Sequence, residues 1–287
     1  MSRVHDAVAH GYNSDEGIIA AKNEVFAGVV AERWHGRRED LRVVDLGVGD
    51  GGTLASIATL PIPLRMAGVD VSFQMLRKAK ARVPLRAVHA PAQAALEHLP
   101  AGEADLVIAH FILAYVPCAD VLRQAAGLLA PGGVLSLATT VAEAGKPFYE
   151  GLDRHFLSRR NPVRRALGRI AERGFALSKV PQGWEDLAQG IERAGLAILS
   201  RRTLRIPVVF RTPADAYRFG IEEGWAANFL AALPMPLPVA KAIARLGLHL
   251  GEYPFEFTQV VEIVEAGRPG EHVPAAANDL EEAIAAD

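Results

Sequence analysis

The sequence predicts an α/β fold in which a doubly wound, largely parallel sheet carries helices on both faces. Five apolar runs of strand length lie within residues 41–140, at 42–46, 64–69, 85–88, 105–109 and 133–138. Helical stretches separate them, at 52–60, 73–82, 92–99 and 119–130. This strict alternation is typical of strand–helix–strand units, because parallel strands need a crossover connection. The motif "APGGV" after the fourth helical stretch predicts a helix stop and a turn into the fifth strand.

The segment before the first strand, residues 1–40, is predicted to be an arm followed by a helix. Residues 16–34 carry apolar side chains at near-helical spacing, so this helix is expected to pack on the sheet. Its apolar positions are Ile18, Ile19, Val25, Phe26, Val29, Val30 and Trp34. Residues 1–15 are polar and are expected to form a mobile arm.

The alternation ends near residue 140, and the rest of the chain is predicted to add to the sheet. Residues 141–183, interrupted by prolines, are interpreted as a helical insertion that forms a lid. Residues 184–266 are interpreted as the C-terminal part of the core. Within it, a helix at 184–194 and a strand at 196–210 precede a second helical insertion at 213–250. The alternation in "EFTQVVEIVEA" suits an antiparallel last strand, and residues 267–287 are predicted to be a disordered tail.

Composition narrows the functional class. The 287 residues have a net charge of -2 and a pI near 6.5, which gives no overall attraction to nucleic acid. The single cysteine, Cys118, excludes an internal disulfide and is interpreted as a small buried side chain rather than a nucleophile. No apolar run reaches the roughly 18 residues of a membrane span, and the first residues lack a signal or transit pattern. A cytoplasmic protein is therefore expected.

A glycine-rich turn, "VVDLGVGDGG" at residues 43–52, is the main candidate for a ligand site. Gly47, Gly49 and Gly51 remove side chains where the backbone turns sharply and can approach a ligand. Asp70 ends the second strand, near the offset at which an acid holds ribose hydroxyls. These features alone fit a nicotinamide dinucleotide and S-adenosylmethionine (SAM) equally.

Two acids in the turn favour SAM. Asp45 precedes the first glycine by two residues, and Asp50 lies inside the turn. Negative charge at this position would repel a pyrophosphate but attract an amino group and a sulfonium. The Gly-x-Gly-x-Gly spacing also lacks the third glycine position of the dinucleotide fingerprint, although Gly52 provides a loose match.

Four motifs resemble, in order and spacing, those of class I SAM-dependent methyltransferases: "VVDLGVGDGG", "GVDVSFQML", "ADLVIAHFILAYV" and "LLAPGGVLSLAT". The resemblance covers about residues 41–140. It implies a Rossmann-like sheet of seven strands with the last strand antiparallel. It also implies that Asp45, Gly47 and Gly49 contact the methionine part of SAM, and that Asp70 binds its ribose. Asp50 is a further cofactor-binding candidate, on the charge argument above.

One motif departs from the family. Methyltransferases of this class usually have an Asp for the adenine amino group after the third strand, where this chain has Ala90 and Pro91. Adenine recognition is therefore expected from the backbone or from Gln93, with stacking against Val71.

Methyl transfer from a sulfonium needs an aligned acceptor and exclusion of water, and a base only if the acceptor must lose a proton. His110 and Tyr115 follow the fourth strand, at the edge where open sheets bind ligands, and are the catalytic candidates. The alternatives are a histidine satisfied by a backbone carbonyl and a tyrosine that only packs. Tyr12 on the N-terminal arm is a candidate to close over SAM; the alternative is a frayed terminus.

The insertions are expected to select the acceptor. The chain has "HFIL" after the fourth strand rather than the Asn-Pro-Pro-Tyr common in amino-methyltransferases of nucleic acid, so no nucleic-acid substrate is expected. No carboxylate cluster is visible around this edge of the sheet, so no metal is expected. Aromatic side chains predict an apolar pocket for a small-molecule or lipid-like acceptor; the alternative is that they form the core of the insertions. They are Phe148, Tyr149, Phe156, Phe175, Trp184, Phe210, Tyr217, Phe219, Trp225 and Phe229.

A basic run in the first insertion is a candidate docking surface. It comprises Arg159, Arg160, Arg164, Arg165, Arg169 and Arg173. On a helix, the last three share one face, which suits an anionic lipid surface, an acidic carrier protein or a phosphorylated acceptor. The alternative is a solvated face of a lid helix.

The sequence thus predicts a SAM-dependent methyltransferase that acts on a small-molecule or lipid-like acceptor by in-line transfer. Two other classes stay open. One is a methyltransferase of protein or RNA that docks through the arginines. The other is a noncatalytic or repurposed SAM-fold protein, which the missing adenine Asp and the lack of an unambiguous base suggest.

Overall fold

The computed structural model describes residues 15–143, 178–225, 227, 230, 235–249 and 251–271. A seven-stranded sheet runs through this part of the chain in the order β3-β2-β1-β4-β5-β7-β6. Strands β1 to β5 are parallel, and β7 lies antiparallel between β5 and β6. This arrangement confirms the predicted fold class. The strands are β1 Leu41–Leu46, β2 Leu64–Asp70, β3 Arg86–His89, β4 Ala104–His110, β5 Leu129–Thr139, β6 Ala197–Phe210 and β7 Phe255–Gly267.

The described helices lie close to the predicted ranges. They are α1 Gly17–Arg33, α2 Gly52–Ala58, α3 Phe73–Arg82, α4 Cys118–Leu128, α5 Trp184–Arg193, α6 Pro213–Tyr217 and α7 Leu237–Leu248. A π-helical turn, Arg218–Glu222, follows α6.

The predicted helix at 92–99 is instead a shorter 3₁₀ segment, Ala92–Glu97. Ala94 has non-helical backbone angles, and the Leu96 N–H donates to Gln124 Oε1 on α4 at 2.8 Å. This hydrogen bond takes the donor that a regular α-helix would use within its own backbone.

The core has two layers, one on each face of the sheet. On one face, α1, α2 and α3 pack against the sheet through residues such as Phe26, Ile57 and Leu76. On the other, α4 and α5 pack through residues such as Leu122 and Ile191. The central strands β1 and β4 are covered on both faces, so their apolar side chains are almost completely buried.

The "APGG" motif forms a bulge inside β5 and not the predicted turn before it. Ala104 pairs with Leu129, whereas Leu106 pairs with Val134, so the extra residues bow out of the ladder. Gly132 has a φ of 70°, and a Cβ on Gly133 would lie 2.6 Å from the Ala104 carbonyl oxygen. The strand therefore resumes its pairing only because this position has no side chain.

Several predicted features lie outside the described residues. They are Tyr12 and the rest of the arm, the arginines from Arg159 to Arg173, the aromatic residues Phe148, Tyr149, Phe156, Phe175 and Phe229, and the tail beyond residue 271. Within the described ranges, no helix has the length and apolar character to cross a membrane, and no cluster of three or more His, Cys, Asp or Glu side chains could hold a metal ion.

Candidate cofactor pocket

The glycine turn follows β1 and forms a cradle whose geometry requires glycine. Gly47, Gly49 and Gly51 have φ values of 84°, 55° and 83°. A Cβ on Gly47 would lie 2.8 Å from Ile112 Cδ1, and one on Gly51 would lie 2.9 Å from Ala79 Cα. A Cβ on Gly49 would meet, among the described atoms, only the Gly47 carbonyl oxygen at 4.0 Å. Gly47 and Gly51 must therefore be glycine because neighbouring atoms leave no room for a side chain. Gly49 instead faces open space from which a ligand can approach.

A small pocket lies between this turn, the end of β4 and the inner face of α1. Its lining residues are Ile19, Lys22, Asp45, Gly47, Val48, Gly49, Asp50, Gly52, Thr53, His110 and Phe111. The pocket encloses about 30 Å³, which is room for about one water molecule. Four predicted residues of the turn, Asp45, Gly47, Gly49 and Asp50, therefore meet His110 at one place, at the carboxyl edge of the sheet.

Lys22 on α1 is a pocket residue that the sequence interpretation missed. It is completely buried, and its Nζ donates to Thr53 Oγ1 at 2.8 Å and to Asn23 Oδ1, and lies 2.9 Å from His110 Nδ1. Burial lowers the pKa of Lys22 to about 7, although the charges of Asp45 and Asp50 act in the opposite direction. A signal was present in the sequence, because Lys22 lies four residues from both Ile18 and Phe26, on the apolar stripe of α1.

The two acids of the turn have different surroundings. Asp45 is 2% exposed, and burial raises the pKa of its carboxyl to about 7, while the charge of Lys22 opposes the shift. Asp50 Oδ2 pairs with Arg82 Nη2 at 3.0 Å, and its Oδ1 accepts from the Gly52 N–H at 3.2 Å. Asp50 thus fastens the turn to α3. Of the two acids, Asp45 has the larger electrostatic effect on the pKa of Lys22.

His110 is held at both ring nitrogens. Its Nδ1 contacts Lys22 Nζ, and its Nε2 lies 3.0 Å from Ser136 Oγ on β5. Burial, followed by the charge of Lys22, lowers the pKa of His110 well below its usual value. The ring is therefore neutral at physiological pH. With Lys22 donating to Nδ1, the proton is assigned to Nε2, which donates to Ser136.

Tyr115 ends the 3₁₀ turn Ile112–Ala114 and is not among the described residues that line the pocket. Burial raises the pKa of its phenol to about 12, so it stays protonated at neutral pH. The structure therefore separates the two catalytic candidates, since only His110 reaches the pocket.

Asp70 lies at the end of β2, beside the turn, and its role as a ribose ligand stays a prediction. Its Oδ2 accepts from the Gly49 N–H at 2.9 Å, and its Oδ1 accepts from the Ser72 N–H at 2.8 Å. The carboxylate therefore fixes the backbone at Gly49 and at Ser72.

The predicted adenine side carries exposed apolar and aromatic groups. Val71 is 38% exposed, and Gln93 is exposed on the 3₁₀ segment after β3, the neighbour of β2. Phe73 is 57% exposed, and its ring centre lies 6.0 Å from that of His89, whose Nε2 is 3.1 Å from the Val71 carbonyl oxygen. The Phe73–His89 pair was not predicted, although an aromatic residue at the start of a surface helix was visible in the sequence.

Phe111 connects the pocket to the second insertion. It has a φ of 55°, the one positive value at a non-glycine residue in the described ranges. Its ring meets Trp225 edge to face at 5.3 Å, and Trp225 stacks on Phe219 at 5.4 Å. Phe219 in turn lies 5.2 Å from Phe210 at the end of β6. Three of the predicted aromatic residues thus form a continuous apolar path that ends at the pocket.

Comparisons with known proteins agree with the fold and with the motifs. A family described as a methyltransferase domain matches residues 44–135. Trans-aconitate 2-methyltransferase of Methylobacterium radiotolerans is 41% identical over 95 residues, which is 33% of this chain and 36% of that protein. Ribosomal protein L11 methyltransferase of Pseudomonas putida is 33% identical over 112 residues, 38% of this chain and 37% of that protein. The match thus spans little more than a third of these relatives.

Solved structures share the fold over most of the chain. The YcgJ protein of Bacillus subtilis has a TM-score of 0.54 at 15% identity and covers 87% of this chain and 100% of its own. A protein described as a putative methyltransferase of Bacillus halodurans has a TM-score of 0.55 at 15% identity, over 85% and 98% of the two chains. A methyltransferase domain thus matches residues 44–135, and the solved structures show that the fold of the chain is shared with these proteins.

Proposed function

We propose that this protein is a methyltransferase that transfers the methyl group of SAM directly to a small-molecule or lipid-like acceptor. The observation that carries the proposal is the cradle at Gly49, which is open toward the pocket and lies between two acids, Asp45 and Asp70. A carboxylate on each side suits an amino group on one side and ribose hydroxyls on the other.

The cofactor supplies an activated methyl group: a lone pair of the acceptor bonds to the methyl carbon while the carbon–sulfur bond breaks, and its electrons leave a neutral thioether on sulfur. The chain aligns and shields this reaction. Gly49 lets the backbone approach, Asp70 orients the ribose, and α1 with Phe111 covers the inner end of the site from water. His110, with both nitrogens engaged and a lowered pKa, is a poor base, which suits an acceptor that needs no proton removed in the pocket.

The aromatic path supports a small acceptor with apolar character. Phe111, Trp225 and Phe219 offer ring faces and edges next to the pocket, and these surfaces bind apolar or planar groups. A relative matched over part of its length is named for trans-aconitate, which also favours a small acceptor.

A protein acceptor is the second candidate. It is favoured by the match to ribosomal protein L11 methyltransferases and by the arginines from Arg159 to Arg173, which would serve as the docking surface. A repurposed fold is the third, since the 4+2 cyclase SpnF shares the fold with a TM-score of 0.52 at 17% identity.

Two measurements test the proposal. Calorimetry with SAM and S-adenosylhomocysteine comes first, and absence of binding below about 1 mM would overturn the assignment. Transfer of a labelled methyl group is then measured with defined acceptors: trans-aconitate, a fatty acid, a phenol and purified ribosomal protein L11. Label in a small molecule supports the first proposal, whereas label in L11 alone, lost at high salt, supports the second. Tight SAM binding with no transfer to any acceptor class supports the repurposed fold.

A further inference from the structure

The ammonium group of Lys22 is buried without an anionic partner at hydrogen-bonding distance. Its described hydrogen-bond partners, Asn23 Oδ1, Thr53 Oγ1 and His110 Nδ1, are all uncharged. In the described part of the chain, no carboxylate lies within 4.0 Å of this Nζ. A buried charge is costly unless an opposite charge pairs with it. These three partners occupy all three N–H donors of the ammonium, so an anion that replaces Asn23 or Thr53 as acceptor would supply the missing opposite charge.

The pocket also contains the opposite charge. Asp45 lines the same small space, and its charge and that of Lys22 influence each other. A ligand that complements both side chains carries an ammonium and a carboxylate on neighbouring atoms, which is the chemistry of an α-amino acid. Lys22 belongs to the turn side of the pocket, together with Gly49 and Thr53, and so to the cofactor rather than to the acceptor.

We propose that Lys22 binds the α-carboxylate of the methionine part of SAM, and that His110 is a positioning residue for this lysine. The inference rests on the proposed function and assigns a cofactor contact to α1, which lies outside the matched residues 44–135. His110 accepts from Lys22 at Nδ1 and donates from Nε2 to Ser136, so β4 and β5 together hold the ammonium in place. This role differs from that of a catalytic base, because the imidazole never receives the proton of the acceptor.

The test uses a cofactor that lacks only the group in question. Binding of SAM and of decarboxylated SAM is measured by calorimetry for the wild type, Lys22→Met and Lys80→Met. Lys80 is an exposed lysine on α3 and serves as the matched control. We expect the wild type and Lys80→Met to prefer SAM, and Lys22→Met to lose about tenfold or more of that preference, because a charge-assisted hydrogen bond is lost. An equal loss for both ligands, or no change, would overturn the proposal.

Binding of 5′-methylthioadenosine, which lacks the whole amino-acid part, reports whether the variant keeps its fold. If Lys22→Met does not fold, the pH dependence of the wild type replaces it. Asp45 and Asp50 act on Lys22 through their charges and His110 contacts it, and the carboxylate of SAM binds best when Lys22 is protonated. The affinity ratio of SAM to decarboxylated SAM should thus fall as pH rises above about 7. A ratio that stays constant between pH 6 and 9 contradicts the proposal.

The role of His110 is tested in the same way. His110→Ala should lower the SAM preference over decarboxylated SAM, whereas His110→Gln, which can still accept from Lys22, should restore part of it. A loss of turnover with an unchanged preference would instead favour a catalytic base. If the wild type binds none of these ligands, the proposed function itself fails. If the wild type binds them and transfers methyl groups, but Lys22→Met still prefers SAM over decarboxylated SAM, only the present inference fails.

Discussion

The cofactor pocket and the aromatic path from Phe111 to Phe210 lie side by side but are built in opposite ways. The pocket buries charged and polar groups, Lys22, Asp45 and His110, in one hydrogen-bonded and electrostatic network. The aromatic path is held by ring contacts between residues of β6 and the second insertion. Charged networks fix the position of one ligand, whereas ring surfaces accept many shapes. Under the proposed function, the pocket would hold the constant cofactor and the aromatic path would select the acceptor.

Helix α1 connects the two regions. Arg33, near its end, makes a two-point ion pair with Glu265 on β7, at 3.0 Å and 2.7 Å, and both side chains are less than 5% exposed. Glu265 also accepts from Ser200 Oγ on β6 at 2.7 Å. The helix that carries Lys22 is thus fastened to the antiparallel pair of β6 and β7, next to the aromatic path.

Arg33→Met should have the largest effect, because it leaves the Glu265 carboxylate buried without its partner. We expect the free energy of unfolding to fall by about 3–5 kcal/mol, measured by urea denaturation. Arg123→Met, which breaks an exposed pair with Asp120 on α4, is the control and should cost less than about 1 kcal/mol. Similar effects of the two substitutions would show that α1 is not anchored at this point.

Under the proposed function, Asp70→Ala should weaken SAM binding about 100-fold, since the charge-assisted hydrogen bonds that Asp70 would make to the ribose are lost. Calorimetry with S-adenosylhomocysteine measures the effect, and Asp120→Ala on α4 is the surface control. Unchanged affinity would mean that the ribose does not bind at the end of β2.

Gly49→Ala should affect binding and stability, whereas its control should affect stability alone. Gly102 also has a positive φ, of 70°, and a Cβ there would meet no described atom within 4 Å. Both substitutions place a side chain in a left-handed conformation, which costs about 1–2 kcal/mol. Only Gly49→Ala should also reduce SAM affinity, by about tenfold, because its Cβ would point into the cradle. Equal affinities in the two variants would place the ligand elsewhere.

Trp225→Leu should have the smallest effect on the cofactor and separate the two regions most directly. It removes the ring that joins Phe111 to Phe219. We expect the KM for the acceptor to rise several-fold, while the dissociation constant of S-adenosylhomocysteine changes by less than about twofold. A change in cofactor affinity as large as the change in KM would show that the regions do not act separately.

The sheet could be predicted because its signals are local. Each central strand, such as β1 and β4, is a short apolar run, and each helix between them has its own periodicity. The APGG segment was misplaced for the opposite reason. Whether it turns before β5 or bulges within it depends on the pairing of Ala104 and Leu106, which lie 25 or more residues earlier in the chain.

The sequence by itself determined the fold class, the glycine cradle and the acids Asp45 and Asp70, because glycine and carboxylate positions follow directly from the end of a strand. Only the tertiary structure decided which polar groups meet. Lys22 and His110 are 88 residues apart in sequence, and neither signals the other, but the packing of α1 over β4 brings their nitrogens within 2.9 Å. Burial in that packed space then set their charges, since the cost of removing an ion from water depends on what surrounds it and not on its neighbours along the chain.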